Sequence, residues 1–295
     1  MSTQPATAGT QADGRRAAPS YDVKAAVKGL DADAVTARVA GGRVTGTGLT
    51  VSALAATSTS NLAGGAGVSG LLGAGGAASV SRVYSTVNAS VDEATVHAPR
   101  VAVKALAQDG GHGKAASATS YAGGAGLVGL GAAVSDALVQ NKVTALADGN
   151  FTGGASGDML VTAADNSGVK TDGVGASAGA LAVGVVLSHA DKRSTVDAGI
   201  GNGSSVAGYK LLSVAASANA PASGATVSAE STGAAGGLLA AGTGAESLAD
   251  NRTRVSTAIG DDVALPDGNV SITATNDSRQ PVSYTHLTLP TIPLV

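Results

Sequence analysis

Val101-Ala102-Val103-Lys104-Ala105 decides the fold, because its alternation of apolar residues returns at nearly regular intervals along the chain. We call these segments anchors. Their central residues are Val51, Val103, Val161, Val214 and Ile272. Successive centres lie 52 (103−51), 58 (161−103), 53 (214−161) and 58 (272−214) residues apart. Because self-similarity at a fixed period marks stacked repeats, we predict an array of units of about 55 residues.

A second alternating segment precedes each anchor. Its copies begin at Val35, Val87, Val143, Val196 and Val255. The distances to the anchor centres are 16 (51−35), 16 (103−87), 18 (161−143), 18 (214−196) and 17 (272−255) residues. This near-constant offset is close to one coil of a β-solenoid. We therefore expect the segment and its anchor to stack on consecutive coils and to pair in parallel.

The composition is unusual for a globular domain. The 295 residues include 43 Gly, one Phe and no Trp, so the hydrophobic fraction of 44% is mostly Ala, Val and Leu. Disorder is disfavoured by the charged fraction of 13% and the mean hydropathy of +0.22. The net charge of −3 is not typical of a nucleic-acid-binding protein, and the absence of Cys excludes disulfides and thiolate chemistry.

Each repeat also contains a Gly/Ala-rich stretch, as in residues 122–134 and 174–187. Both stretches are too short, and too often interrupted by Gly, for a membrane-spanning helix. In the second stretch Ala182 and its even-numbered neighbours alternate with Leu181, Val183 and Val185. We interpret it as a β-strand buried on both faces. A helix is the alternative, which the glycines disfavour.

These patterns predict an all-β chain, a parallel β-solenoid (β-helix), with three parts. Residues 1–30 form a polar segment that we expect to be poorly ordered and that lacks a secretory signal pattern. Residues 31–280 form the repeat array. Residues 282–295 break the pattern, and residues 282–291 resemble a translated sequencing-library adapter. We therefore expect this tail not to be native, the chain to be a fragment, and Tyr284 and His286 to carry no function.

Two GxGxxG strings occur, at residues 65–70 and 124–129. A dinucleotide site needs a strand before the string, a helix after it and an acid about 20 residues further on. Residues 58–61 (Ser-Thr-Ser-Asn) make a poor strand core before the first string, and both strings occupy matching places in adjacent repeats. A packing role is therefore favoured, and we predict no cofactor.

Histidines and acids show no catalytic or metal-binding spacing. His97, His112 and His189 form neither an HExxH motif nor an i, i+4 pair, and no GxSxG motif is present. Acidic residues cluster at expected turns; they are Asp92, Glu93, Asp191, Asp250, Asp261, Asp262 and Asp267. Calcium bound between coils is the alternative, but the GGxGxD string is absent, so we expect solvated turn acids. We predict no catalytic, cofactor-binding or metal-binding residue.

At the level of the repeat, the chain resembles large bacterial repeat exoproteins, namely filamentous-haemagglutinin-like and leukotoxin-type filamentous adhesins and autotransporter passengers. The resemblance lies in residues 269–274 (NVSITA), 195–203 (TVDAGIGNG) and 179–184 (GALAVG). It implies an extracellular or cell-surface β-solenoid that acts without catalysis as an adhesin or stalk. It further implies receptors on host or neighbouring cells as partners. From the net charge and the short apolar stretches we expect no nucleic-acid partner and no membrane insertion.

Two other functions stay open at this point. A β-helix enzyme that acts on polysaccharides would need a groove in which three or more Asp, Lys or Arg side chains converge. A low-complexity structural chain would have no fixed fold.

Overall fold

The computed structural model describes residues 20–29, 34–111, 113–219, 224–265, 268–280 and 282–288. Within these ranges the chain is all-β and contains no helix. None of the described residues therefore belongs to a helix long and apolar enough to cross a membrane. Residues 1–19 and 30 of the segment expected to be poorly ordered, and residues 289–295 of the predicted tail, lie outside the described residues.

Sixteen strands of the described chain join in one hydrogen-bonded sheet, and every strand pair in it is parallel. The strands are β1 (Ser20–Gly29), β2 (Ala34–Ala40), β3 (Arg43–Thr45), β4 (Gly48–Thr57), β5 (Thr59–Val68), β6 (Leu72–His97), β7 (Arg100–Asp109), β8 (Ala116–Ala125), β9 (Val128–Asn166), β10 (Val169–Lys192), β11 (Thr195–Ile200), β12 (Ser205–Ala218), β13 (Val227–Asn251), β14 (Arg254–Ile259), β15 (Asn269–Asn276) and β16 (Val282–Thr288).

The anchors pair with one another in the predicted register. They lie on β4, β7, β9, β12 and β15, and each pairs with the anchor one repeat away. The central pairs are Val51–Val103, Val103–Val161, Val161–Val214 and Val214–Ile272. Because side chains alternate between faces, this register puts the same apolar positions in the core for the first four anchors, whereas Ile272 of the last anchor is 51% exposed. The predicted repeat is thus confirmed as the step between paired anchors.

The second segments also pair one repeat apart, so the expectation that they stack on the anchors is wrong. Val35 pairs with Val87, Val87 with Val143, Val143 with Val196 and Val196 with Val255. Segment and anchor instead contribute to one hydrophobic core, in which Val87 and Val103 are both fully buried. The second segments and the anchors thus lie on opposite sides of this core. The 16–18 residues between a segment and its anchor cross from one side to the other and do not move the chain on to the next repeat.

The Gly/Ala-rich stretches form an arm that extends from this core. In each repeat the chain runs outward and then returns, as it does along β5 and the first part of β6. In β10 both directions belong to one strand, with a register interruption between Gly179 and Leu181. The strand prediction for residues 174–187 is therefore confirmed.

Near the tips of the first two arms, the space on the inner side admits only glycine. A Cβ built on Gly65 would lie 1.9 Å from the carbonyl oxygen of Gly76, and a Cβ on Gly124 would lie 1.8 Å from that of Leu130. Backbones in such close contact exclude larger side chains from the space between the two layers. Bulky residues of the returning layer must then point outward.

This geometry overturns the prediction that residues 174–187 are buried on both faces. Leu181, Val183, Val185 and Leu187 are 44%, 50%, 42% and 40% exposed. The inner positions hold the buried Ala182 and, further from the tip, the buried Val186, for which Gly173 and Gly175 of the opposite layer leave room. The alternation was correctly identified, but its larger residues face solvent.

The pairing extends to both ends of the described chain. Strand β1 pairs with β4, with Val23 opposite Val51, so Tyr21-x-Val23-x-Ala25 has the same alternation as an anchor. The step from Val23 to Val51 is about half a repeat, which is too short to include an arm. At the other end β16 pairs with β13. The adapter origin of this stretch stays a prediction.

Candidate functional site

A cleft lies on the outer surface at the base of the arm. Here β6 and β9 pass from one hydrophobic core to another. Val83 and Val139 pack in a core at the base of the arm. Val87 and Val143, further along the same strands, pack in the core between the second segments and the anchors. The cleft has a volume of about 540 Å³. Its lining residues are Tyr84, Ser85, Thr86, Gln140, Asn141, Lys142, Arg193, Thr195 and Asp197.

Register places the outward side chains of the cleft in rows that cross the strands. One row contains Thr86, Lys142, Thr195 and, one repeat further, Arg254. Its neighbouring row pairs Tyr84 with Gln140. Adjacent parallel strands lie about 4.8 Å apart, so each row offers polar groups at regular short intervals along the stacking direction.

Three charged side chains converge in the cleft, and they differ in how they are neutralised. Arg193 forms an ion pair with Asp191, and Asp197 accepts a hydrogen bond from the Ser256 hydroxyl. Lys142 is exposed and has no ion-pair partner among the described residues. Its ammonium group is therefore available to an external anion.

A buried polar cluster lies where the inner surface passes from anchor to arm. The Nζ atom of Lys192 lies 3.3 Å from a carboxylate oxygen of Asp165, and both side chains are fully buried. Lys192 also donates to the Ser167 carbonyl (2.7 Å), while Asp165 accepts from the Ser167 amide (3.0 Å) and from Asn141 (3.3 Å). These bonds replace the water that both charges lose on burial.

The carboxyl pKa values in this region shift in opposite directions. Burial raises the pKa of Asp165, but the Lys192 ammonium and the Ser167 hydrogen bonds outweigh this effect and hold the pKa below its usual value. For Asp109, burial is also the largest effect and raises the pKa, although the Gly168 amide and Lys114 oppose it. The surroundings thus stabilise the anionic form of Asp165 and destabilise the anionic form of Asp109.

A ladder of serines ties the two layers of the arm together, and sequence analysis missed it. Ser79, Ser135 and Ser188 occupy paired positions on successive strands. Their hydroxyls donate to carbonyl oxygens of the opposite layer: those of Asn61 (2.9 Å), Asp172 (2.7 Å) and Glu230 (2.6 Å). The spacings of 56 (135−79) and 53 (188−135) residues were a visible signal, because they match the anchor period.

The two GxGxxG strings lie at the tips of adjacent arms. Gly65 and Gly67 approach the Gly76 and Ala74 carbonyls, and Gly124 approaches that of Leu130. No helix follows either string, so the strand–turn–helix context of a dinucleotide site is missing there. The glycines serve close backbone packing, as their matched positions suggested.

His97 and His189 contact different partners. His97 is within 3.1 Å of an Arg43 nitrogen, and His189 lies 3.2 Å from an Asp136 carboxylate oxygen. His112 lies outside the described residues. The described residues contain no group of three or more His, Cys, Asp or Glu side chains that could hold a metal ion.

The predicted turn acids do not behave alike. Asp92 pairs with Arg38 and Asp250 with Arg252, while Asp261 and Asp262 are exposed. Glu93 is exposed with a φ of 51°, and Asp267 lies outside the described residues. The prediction of a solvated carboxylate is wrong for Asp191, which is only 1% exposed. Its carboxylate lies against the Arg193 guanidinium group.

Comparisons with protein-family models, with curated proteins and with solved structures give no match, so the functional argument depends on the fold and the surface of this chain alone.

Proposed function

We propose that this chain forms a parallel β-solenoid with one coil per repeat, and that it acts without catalysis as an adhesive surface. The supporting observation is the register that joins five anchors through steps of one whole repeat. The resemblance to bacterial repeat exoproteins adds the extracellular or cell-surface location to this proposal. Receptors on host or neighbouring cells are the proposed partners.

The size of the coil favours an adhesive surface over a stalk. Four steps separate the first anchor from the last, and at about 4.8 Å each they span only about 19 Å. These steps use most of the chain, from Val51 to Ile272. Coils as short as the offset between segment and anchor would extend the same chain about threefold further. Large coils with a projecting arm instead create broad lateral faces, which is what a binding surface requires.

Small-angle X-ray scattering on tandem copies of residues 31–280 tests the architecture. Each added repeat is expected to extend the particle by about 4.8 Å along one direction and to leave its cross-section unchanged. Extension by about 14 Å per repeat, which is three strand spacings, or a far-UV circular dichroism spectrum of random coil, would contradict the one-coil repeat. The second result would support the low-complexity alternative.

Beads coated with the purified chain test adhesion. We expect them to bind to bacterial or epithelial cell surfaces more than beads coated with the core variant Val161→Asp, because only the folded chain presents the lateral faces. Equal binding of both bead types would contradict a folded adhesive surface.

The cleft gives specific support to a second candidate, an enzyme that acts on polysaccharides. Lys142, Arg193 and Asp197 converge there, which meets the requirement of three charged groups in one groove. Asp197 and Arg193 are, however, already engaged by Ser256 and Asp191. Incubation with acidic and neutral polysaccharides decides between the candidates: release of reducing or unsaturated ends that Asp197→Asn abolishes would establish the enzyme.

A further inference from the structure

We propose that the cleft at the base of the arm binds an extended acidic polysaccharide that lies along the stacking direction. This inference deepens the proposed adhesive function and rests on it, since it names the ligand class of one lateral face. It requires binding only, and no bond in the ligand is broken.

Unpaired positive charge at two levels of the stack points to a polyanion. Lys142 and Arg254 lie in the same row, two strand spacings apart, and both are exposed. Neither has an ion-pair partner among the described residues. Two spacings of about 4.8 Å put their positions about 10 Å apart along the stack. A polymer with carboxylates at regular intervals can reach both, whereas a single small anion cannot.

The remaining lining fits sugars better than other polyanions. Tyr84 is 50% exposed, so its aromatic ring can pack against the apolar face of a sugar ring. The outward residues beside it, Gln140, Thr86 and Thr195, offer donors and acceptors for ligand hydroxyls. The Asp197 carboxylate can accept hydrogen bonds from further ligand hydroxyls.

Affinity in this cleft must come from several weak contacts. An exposed ion pair contributes little by itself because water and salt screen it. A ligand that crosses the rows at successive levels makes these contacts together, so the second and later contacts cost less ordering than the first. Binding should therefore depend on ligand length and weaken as salt is added.

Isothermal titration calorimetry with oligogalacturonates of increasing length tests the site, with neutral gluco-oligosaccharides of equal length for comparison. We expect the acidic series to bind more tightly, with an affinity that rises with length and falls with added salt. Lys142→Ala should weaken binding about three- to tenfold, as expected for the loss of one charged contact. Lys104→Ala is the matched control, because Lys104 is exposed on an anchor strand and also lacks an ion-pair partner among the described residues.

A second pair of variants tests the aromatic contact. Tyr84→Ala should weaken binding, whereas Tyr121→Ala should not, although both tyrosines are 50% exposed. Tyr121 lies on the outgoing layer of the arm and so reports any general effect of removing an exposed ring.

Several results would overturn the proposal. These are equal affinity for acidic and neutral sugars, equal affinity for an oligothymidylate, or equal effects of Lys142→Ala and Lys104→Ala. Absence of binding with a normal melting curve would remove the glycan site and leave the adhesive solenoid standing. A chain that fails both in the scattering experiment and in cell adhesion would instead remove the proposed function itself.

Discussion

Asp165 and Lys192 form an ion pair, 3.3 Å from nitrogen to oxygen, at a place where the preceding repeats carry apolar residues. Asp165 pairs in register with Ala107 and Ala218. Lys192 pairs on one side with Val139, which continues to Val83, and on the other side with Asn251. One level of the stack thus replaces an alanine and a valine by two opposite charges, and each charge is tolerated only because the other is present.

Removing one partner of this pair is expected to destabilise the fold strongly. Asp165→Ala leaves the Lys192 ammonium buried without a counter-charge, which costs about 3–5 kcal/mol. Asp165→Ala combined with Lys192→Val restores the residues found at the preceding levels. Buried ion pairs replaced by apolar residues are often neutral or more stable by about 1–4 kcal/mol, so the double variant should recover most of the loss.

Urea unfolding of the two variants and the wild type measures this difference. If Asp165→Ala unfolds at the wild-type midpoint, Lys192 reaches solvent and the pair is not buried in solution. If the double variant is as unstable as the single one, the hydrogen bonds that Asn141 and Ser167 make to the two charged groups are themselves required for stability, and apolar residues cannot replace the pair.

Glycines in the arm can be tested in adjacent positions. A Cβ on Gly65 would meet the Gly76 carbonyl, whereas a Cβ on Gly64 would have no atom within 4 Å. Gly65→Ala should therefore cost about 1–3 kcal/mol as an overpacked contact. Gly64→Ala should be neutral or stabilising by up to about 1 kcal/mol, because it lowers the entropy of the unfolded chain. Thermal melting of both variants checks this, and equal effects would show that the arm layers are not in contact.

The anchor register could be predicted from sequence because two independent signals agree in it. The alternation in Val101-x-Val103-x-Ala105 identifies the buried face, and the recurrence of that pattern identifies the partner strand. The pairing partner of the second segment could not be deduced in the same way. A constant offset between Val87 and Val103 results equally from strands that pair and from strands that face each other across a core.

The arm and the cleft illustrate what the local pattern leaves open. Alternation in residues 181–187 shows that two faces differ, but not which face is buried. The answer depends on the opposite layer, where Gly173 and Gly175 leave room for the Val186 side chain. The cleft combines Tyr84, Lys142 and Arg193 from three repeats, so no single repeat contains its pattern. The misplacement of Asp191 has the same origin, since its burial depends on neighbouring strands.

The opposite pKa shifts predict opposite dependences of stability on pH. The pKa of Asp109 is raised in the folded chain, so its stabilising contribution is present below the unfolded pKa of about 3.9 and is lost as pH rises through the folded value. Asp109→Asn keeps an oxygen for the Gly168 amide without the charge. The variant should therefore gain stability over the wild type as pH rises from about 3 to 7.

Asp250→Asn is the control of opposite sign. A hydrogen bond from Arg252 holds the pKa of Asp250 below its usual value, so its contribution is present above the unfolded pKa and is lost as pH falls. This variant should lose stability at neutral pH and match the wild type in acid. Melting temperatures of both variants across the pH range provide the measurement; parallel curves for the two would contradict the assigned shifts.

The anchor core itself is tested by Val161→Asp. Val161 is fully buried between the anchors of the adjacent repeats, where it pairs with Val103 and Val214. An aspartate there has no described partner for its charge and should cost about 3–5 kcal/mol.

Asp191→Ala is not a suitable control because Asp191 is itself buried. Thr162→Asp is better, since Thr162 is half-buried on the other face and pairs with the exposed Lys104. It should change stability by less than about 0.5 kcal/mol in urea unfolding. Equal loss in both variants would mean that the alternation does not separate a core face from a solvent face, and the proposed solenoid would have to be abandoned.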